Sequence, residues 1–320
     1  AEVVAVGHRV VHGGVRFAHP VLVDDDVLAE IRDLATLAPL HNPANANGIE
    51  YARNAFPDEP HVAVFDTAFF AELPDAAATY AIDRDVASKF GVRRYGFHGS
   101  SHEYVSGLVP SIIGADGSTL RQIVLHLGNG ASASAVRGGH PVDTSMGLTP
   151  LEGLVMGTRG GDIDPGALLH LLRVGGLDVD GLDNLLNRQS GIGGLAGVSD
   201  MRDLIARREA GNAGAALAFD VYIHRLRKYV GAYTAVLGGV DAITFTAGVG
   251  ENNSVIRAET LNGLDDFGIT LDTARNDERS SEPRIVSADE SRVKILVVPT
   301  NEELQIARHA AGLVSSPHRR

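Results

Sequence analysis

The 320-residue chain has no cysteine and no tryptophan, and only three methionines. Without cysteine there is no disulfide, no thiolate metal ligand and no cysteine nucleophile, and a reducing compartment suits the composition. Positive charge is scarce: 28 Lys and Arg stand against 40 Asp and Glu, a net charge of −12. Nucleic-acid binders are usually basic, so nucleic acid is a poor candidate partner. An anionic substrate would need local Arg, Lys, backbone N–H groups or a metal to offset that field. No apolar run is long enough to cross a bilayer. The opening AEVVAVGHRVVHGG also lacks the basic start and long apolar run of a secretory leader. A soluble cytoplasmic protein with no membrane partner is the expectation. The sequence has no G-x-x-x-x-G-K-[ST] loop, and no G-x-G-x-x-G opens a βαβ unit, so it offers neither a Walker loop nor a dinucleotide fingerprint.

What is present is an ordinary globular balance, 44% hydrophobic and 21% charged, in a length that suggests about two domains at roughly 150 residues each. Short β-branched runs at Val3–Val6, Val62–Phe65, Ile123–Leu127, Ser132–Val136, Ile243–Thr246 and Ile295–Val298 read as strands. Helical spacing marks Asp26–Leu37, Pro165–Leu172, Leu182–Leu186 and Met201–Ala206. The longest helix is Ala213–Leu237, with Leu217, Val221, Ile223, Leu226, Val230 and Tyr233 as its apolar stripe. Thr300 or Asn301 would cap a last helix, Glu302–Leu313, and the terminal SSPHRR reads as a frayed tail. Alternating strands and helices predict an α/β protein, and the lack of a low-complexity linker predicts two packed domains with a cleft between them.

Most chemistry-bearing residues fall at strand ends. In DTSMGLTPLEGLVMGTRGGDIDP, Asp143–Pro165, Arg159 sits among Gly157, Thr158, Gly160 and Gly161. Glycines allow close backbone approach, and a guanidinium there can fork onto a carboxylate or phosphate. GHRVVHGG places Arg9 after a strand and before a glycine turn. In HNPANAN, Asn45 or Asn47 would cap a helix, while His41 equally could face a pocket. VAVFDTAFF ends an apolar strand in Asp66, either a site carboxylate or a cap for a helix starting at Thr67. RRYGFHGSSH sets His98 and His102 four apart, but Gly99 and Ser100 break a shared helix and disfavour zinc. A phosphate-facing His98, with Ser100 or Ser101 capping the next helix, fits better. HLGNGAS reads as a hairpin turn or a phosphate-facing hairpin. ITFTAGVGENN is a strand running into a glycine turn, with a helix starting near Ser254. PTNEE puts Glu302 and Glu303 at a helix start, where the dipole favours them and where Mg²⁺ could be held. Together these suit a phosphotransferase better than a dehydrogenase.

These motifs, together with SDMRD and taken in chain order, resemble the acetate kinase family of the sugar kinase, heat-shock ATPase and actin superfamily, over almost the whole chain. The resemblance implies a two-domain actin-like (ribonuclease H-like) ATPase fold with an interdomain cleft. Residues 1–69 plus 304–320 would form a truncated first domain and 70–303 a second. It implies Mg²⁺-dependent, reversible phosphoryl transfer from ATP to acetate, giving acetyl phosphate and ADP. It also implies a homodimer, with Ala213–Leu237 as a candidate interface. By resemblance Arg9 and Arg159 hold the carboxylate and the transferring group, Asp66 is the active-site acid and His98 the transition-state histidine. Acetate is ionised at neutral pH and needs no general base, so Asp66 is expected to orient Mg²⁺ or water. Val11, Leu40, Phe97 and Pro150 would line the methyl pocket. His126, Leu127, Gly128, Asn129 and Gly130 would face the nucleotide phosphates, and Asp200, Met201 and Arg202 the adenosine. Gly248, Val249, Gly250, Glu251 and Asn252 would form the second nucleotide loop, and Glu302 would ligate Mg²⁺.

Departures are Phe70, where the family has His after TAF, and Leu73, where it has Met before Pro. The family's opening strand and N-[SA]-G-S-S-S-x-K loop have no counterpart in these residues, so a fragment of a longer enzyme is expected. Propionate or butyrate kinase, and a non-catalytic nucleotide-binding fragment, are the alternatives.

Overall fold

A computed structural model describes residues 3–315. The chain folds as two compact units, Ala1–Tyr104 with Thr300–Arg320, and Val105–Pro299. Residues 70–104 and 300–303 therefore stay with the first unit, not with the second, where the sequence places them. Local bonding accounts for the first of these segments: the Gly99 N–H donates to the Asp66 carbonyl and the Arg94 N–H to that of Ala78.

The first unit opens with β1 (Val6–Val10), β2 (Val21–Leu22), α1 (Asp25–Asp33), α2 (Asn42–Ala55), β3 (His61–Phe65), α3 (Asp75–Ala78) and α4 (Arg84–Phe90). Helix α5 (Gly99–Ile113) begins in it and ends in the second unit. The second unit continues with β4 (Arg121–Leu127), β5 (Ala131–Arg137) and β6 (His140–Thr144). Helices α6 (Pro165–Arg173), α7 (Val179–Arg188), α8 (Gly191–Ala196), α9 (Met201–Glu209) and α10 (Ala213–Leu237) follow. Then come β7 (Ala242–Thr246), α11 (Ala247–Asn252), α12 (Ser254–Leu261), α13 (Thr273–Asp277), β8 (Arg284–Ile285) and β9 (Lys294–Val297). The chain returns to the first unit with α14 (Glu302–Ser315).

In the first unit the sheet order is β1-β3-β2, with β1 and β3 parallel and Arg9 opposite Val64. Every residue of β3 is buried, because the sheet is covered on both faces. Side chains alternate along a strand, so Ala63 and Phe65 join Leu28, Ile31, Ala46 and Ile49 of α1 and α2. Val62 and Val64 meet Ile306 and Ala310 of α14 on the other face. The second unit is built on a six-stranded sheet, β6-β5-β4-β7-β9-β8, in which the β4–β5 hairpin is antiparallel and β4, β7 and β9 are mutually parallel. Helix α10 keeps the predicted bounds, but its buried stripe runs through Ala218, Phe219, Tyr222, Ile223, Leu226, Val230 and Tyr233. Leu217, expected on that stripe, is 58% exposed.

Other expectations shift. The first strand is Val6–Val10, not Val3–Val6, since its partner β3 begins opposite Val6; Arg9 thus lies within the strand. The predicted helix Asp26–Leu37 is α1 followed by a 3₁₀ turn, Leu34–Thr36. Asn45 and Asn47 lie inside α2, whose cap position is His41. Thr67 precedes only a 3₁₀ turn, Ala68–Phe70. Ser100 and Ser101 lie within α5, which starts at Gly99. Residues 247–252, read as a glycine turn, form α11, and α12 begins at Ser254 as expected. The Asn301 cap holds, accepting from the Leu304 N–H at 2.9 Å. In SSPHRR, Ser315 ends α14 and residues 316–320 lie outside the described residues.

Candidate active site

In the first unit the parallel register of β1 and β3 puts Arg9 beside the strand end that carries Asp66. The ladder continues one step past β3, with the Asp66 N–H on the Val10 carbonyl at 2.9 Å. Arg9 forks onto the Asp66 carboxylate, Nε to Oδ1 and Nη2 to Oδ2, both at 2.8 Å. Its Nη2 also lies 3.5 Å from Glu302 Oε2. The Asp66 side chain is 3% exposed and that of Arg9 42%, so the carboxylate is fixed and the guanidinium reaches outward from it. The bond to Asp66 raises the Arg9 pKa, against the effect of burial. Burial raises that of Glu302, with Arg9 opposing and Asp66 adding. Glu302 begins α14, and its buried Oε2 accepts no hydrogen bond from the described residues. Asp66, expected to orient Mg²⁺ or a water, has Arg9 as its first partner.

His98 stands at the entry to α5 with φ +57°, a left-handed conformation that costs energy outside glycine. It is followed by Gly99, where a Cβ would overlap the Asp66 carbonyl oxygen. The chain can turn into α5 this close to the end of β3 only with glycine there. Phe97, 1% exposed, packs against the buried His12 ring at 5.4 Å between centroids, with Tyr95 at 4.6 Å. The structure thus brings Phe97 up to the turn that follows Val11. Leu40 is 50% exposed.

In the second unit Arg159 has different surroundings. It makes no ion pair among the described residues, its Nη1 donates to the Pro150 carbonyl at 2.5 Å, and burial lowers its pKa. Its loop is tied to the hairpin turn by the Gly157 N–H on the Asn129 carbonyl, 3.0 Å, and a Cβ at Gly157 would overlap Asn129 Oδ1. Asp162 accepts from the Gly153 N–H and from the Tyr229 hydroxyl, and Arg225 donates to the carbonyls of Gly153 and Asp162. Helix α10 therefore anchors the loop that carries Arg159.

A cavity of about 790 Å³ in the second unit is lined by Gly128, Asn129, Asp200, Met201, Arg202, Gly248, Val249 and Asn252. Three segments far apart in sequence meet there. His126, Leu127, Gly130, Gly250 and Glu251 are not on its wall. His126 and Leu127 are buried in β4, and Gly250 packs on β4 and β7, 3.4–3.6 Å from Phe245 and Leu127 for an added Cβ. Glu251 turns back to accept from the Ala247 N–H at 2.8 Å, supporting a residue at φ +63°. Arg202 folds onto Asp200 with bonds of 2.6 and 3.0 Å, which lowers the Asp200 pKa to about 2.

Sequence reasoning missed Ile192, Tyr222, Asn253 and Arg279 on this wall. Tyr222 belongs to the apolar stripe of α10, so spacing marks it as core. Its buried hydroxyl has no hydrogen-bond partner among the described residues, a feature only coordinates reveal.

The α/β fold is that of an actin-like phosphotransferase, as relatives show. The acetate kinase of Leifsonia xyli is 62% identical over 312 residues, covering 98% of this chain and 79% of that protein. The crystal structure of Porphyromonas gingivalis acetate kinase matches with TM-score 0.94 and 44% identity over 98% of this chain and 79% of its own. A propionate kinase from Francisella tularensis matches with TM-score 0.91 and 43% identity over 97% and 79%. The profile of the Acetokinase family matches residues 1–308, and the chain belongs to that family.

Proposed function

We propose that the chain catalyses reversible phosphoryl transfer between ATP and acetate, giving ADP and acetyl phosphate. The observation that carries this reading is the second unit's cavity, where the hairpin turn, the start of α9 and α11 meet on one wall. Its volume suits a nucleotide. Phosphoryl transfer is mainly a matter of positioning and charge neutralisation, and this chain's residues supply both. Arg159, with no carboxylate partner among the described residues, offers its full charge to the transferring group. Arg9, locked by Asp66, offers its remaining N–H groups in a fixed direction to the acetate carboxylate. His98, held at the mouth of α5, donates to the phosphoryl oxygens. Val11, Leu40 and Phe97 are the first unit's residues assigned to the methyl group in this reading, and Pro150 is the second unit's.

Mg²⁺ fits the donor set. Among the described residues no group of three or more His, Asp or Glu is placed to hold a metal ion, and Mg²⁺ usually takes only one or two carboxylates besides phosphate and water. Glu302 Oε2, which accepts no hydrogen bond from the described residues and lies 3.5 Å from Arg9 Nη2, is such a hard ligand, with Asp66 acting on it. When bound, the ion neutralises charge on the nucleotide phosphates. A homodimer and a cytoplasmic setting belong to the same reading; the exposed Leu217 and Val236 of α10 are candidate dimer contacts, and sedimentation tests them.

The test is a hydroxamate assay for acetyl phosphate with this chain, ATP, Mg²⁺ and acetate, propionate or butyrate. Turnover greatest with acetate supports the reading. Greater turnover with propionate or butyrate moves it to the longer acid. ATP binding without turnover on any of the three acids would replace it with a nucleotide-binding role.

A further inference from the structure

Asn42 and Asn45 stand three residues apart in the first turn of α2, on one face. That face meets the chain just after Arg9. Asn45 Oδ1 accepts from the Val11 N–H at 3.1 Å, and Asn42 Oδ1 accepts from the His12 N–H at 3.1 Å. Asn42 Nδ2 donates to the carbonyls of His12 at 3.0 Å and Ile31 at 3.3 Å. Asn42 is fully buried, and Asn45 is half-buried.

These bonds begin where the sheet stops. The strand ladder ends with Asp66 on the Val10 carbonyl, so Val11 and His12 have no strand partner. A backbone donor taken from water needs an acceptor, and two side-chain amides replace the missing strand. The next residue is held similarly, the Gly13 N–H donating to Thr67 Oγ1 at 3.0 Å. The Val11 N–H has Asn45 Oδ1 as its acceptor, while His12 on one side and the ladder on the other are held by separate bonds.

We propose that Asn45 is a positioning residue that sets acid-length specificity, by fixing the backbone of Val11 and hence the wall facing the acyl chain. The inference rests on the reading of Val11 as part of the methyl pocket. Loss of the Asn45 acceptor frees the Val11 N–H to seek water, and the movement is confined to one residue by its fixed neighbours. A wall that yields by a fraction of an ångström admits a longer acyl chain. One methylene in an apolar pocket is worth roughly 10- to 200-fold in discrimination, so a small displacement has a measurable effect.

The test compares kcat/KM for acetate and propionate, at saturating ATP and Mg²⁺, in the wild-type chain, Asn45→Ala and Asn45→Asp. Both acids carry the same charge, so their ratio is insensitive to the charge that Asp adds, while Asp keeps the acceptor. The expected result is a rise of at least about fivefold in the propionate-to-acetate ratio for Asn45→Ala, with KM for ATP unchanged. Asn45→Asp keeps the wild-type ratio even where KM for both acids rises. A lowered melting temperature with an unchanged ratio in Asn45→Ala would assign Asn45 a structural role only and overturn the proposal. An Asp variant indistinguishable in ratio from Ala would overturn it equally. If wild type turns over none of the acids, the proposed function has failed instead. Calorimetric dissociation constants for acetate and propionate then read the same ratio, and an unchanged ratio in Asn45→Ala refutes the role of Asn45.

Discussion

Replacing Asp66 by Asn leaves side-chain volume nearly constant, alters the fork that holds Arg9 and removes a negative charge that acts on Glu302. One acceptor survives; the other oxygen becomes an NH₂ group facing a guanidinium N–H, donor against donor. In the native protein both carboxylate oxygens accept from Arg9 at 2.8 Å. A hydrogen bond to a charged group contributes about 1.5–3 kcal/mol. Water replaces part of that, because the Arg9 side chain is 42% exposed, and the expected cost falls to about 1–2 kcal/mol. In a protein of 320 residues that lowers Tm by about 1.5–3 °C. The effect on activity should be larger. Arg9 loses its fixed direction and turns toward Glu302, 3.5 Å away. Misplacing a positioning group by about 1 Å costs on the order of 100-fold, or about 2.7 kcal/mol of barrier. Thermal melts and kcat/KM for acetate in the hydroxamate assay read the two effects separately. A variant that shows this fall in Tm but keeps kcat/KM within about twofold would refute the claim that Asp66 aims Arg9.

Three further outcomes follow from the same geometry. Arg159→Ala should lower kcat far more than it raises KM for ATP, because among the described residues the guanidinium stands free of carboxylates and is held by the Pro150 carbonyl; equal effects on both constants would contradict it. Glu302→Gln should gain stability relative to wild type as pH rises. Burial lifts the native carboxyl above its ordinary 4.5, so the native state holds the extra proton, and its contribution is complete below 4.5 and lost as pH climbs through the raised value. Parallel denaturation curves against pH, without Mg²⁺, would exclude this. His8 behaves oppositely: burial and the adjacent His61 lower it from 6.5 to about 4. Here the unfolded chain binds the extra proton, so stability should drop as pH falls from 6.5 through 4, and His8→Leu should flatten that segment of a urea-midpoint profile.

What the sequence disclosed and what it hid differ by range. Helix α10 was legible to the residue because its signals are local: Asn212 accepts from the Ala215 N–H at the start, and Gly238 turns left-handed at the end. The motifs that carry Arg9, Asp66, His98 and Arg159 were legible through family resemblance. The start of β1 was not, because the Val3–Val6 run is as β-branched as the real strand and the choice is made by β3, more than fifty residues on. Helix α11 looked like a turn because its glycines favour one; the Glu251 side chain that stabilises its first residue closes a bond no local pattern announces. Asn42 and Asn45 show the same limit. Asn45 reads locally as a cap and Asn42 carries no signal of its own, and their actual partners, Val11 and His12, lie 34 and 30 residues away.

The two arginines, equal as motifs, are electrostatically unequal. Arg9 faces two carboxylates, Asp66 at 2.8 Å and Glu302 at 3.5 Å, so with all three ionised the trio carries one net negative charge. That is a poor lure for acetate in a chain already at −12. The trio resists this charge, since both burial and Asp66 push the Glu302 carboxyl toward its neutral form. A divalent cation on Glu302 would reverse the sign, and so the proposed reading accommodates two acids beside the arginine it assigns to acetate. Arg159 needs no such correction. Its burial without a counter-ion lowers its own pKa and is unfavourable on its own, and an anionic partner removes that cost. In the proposed reading, stored destabilisation of this kind sits on the residue assigned to the transferring phosphoryl group, where charge is greatest, rather than on the one assigned to a monoanion.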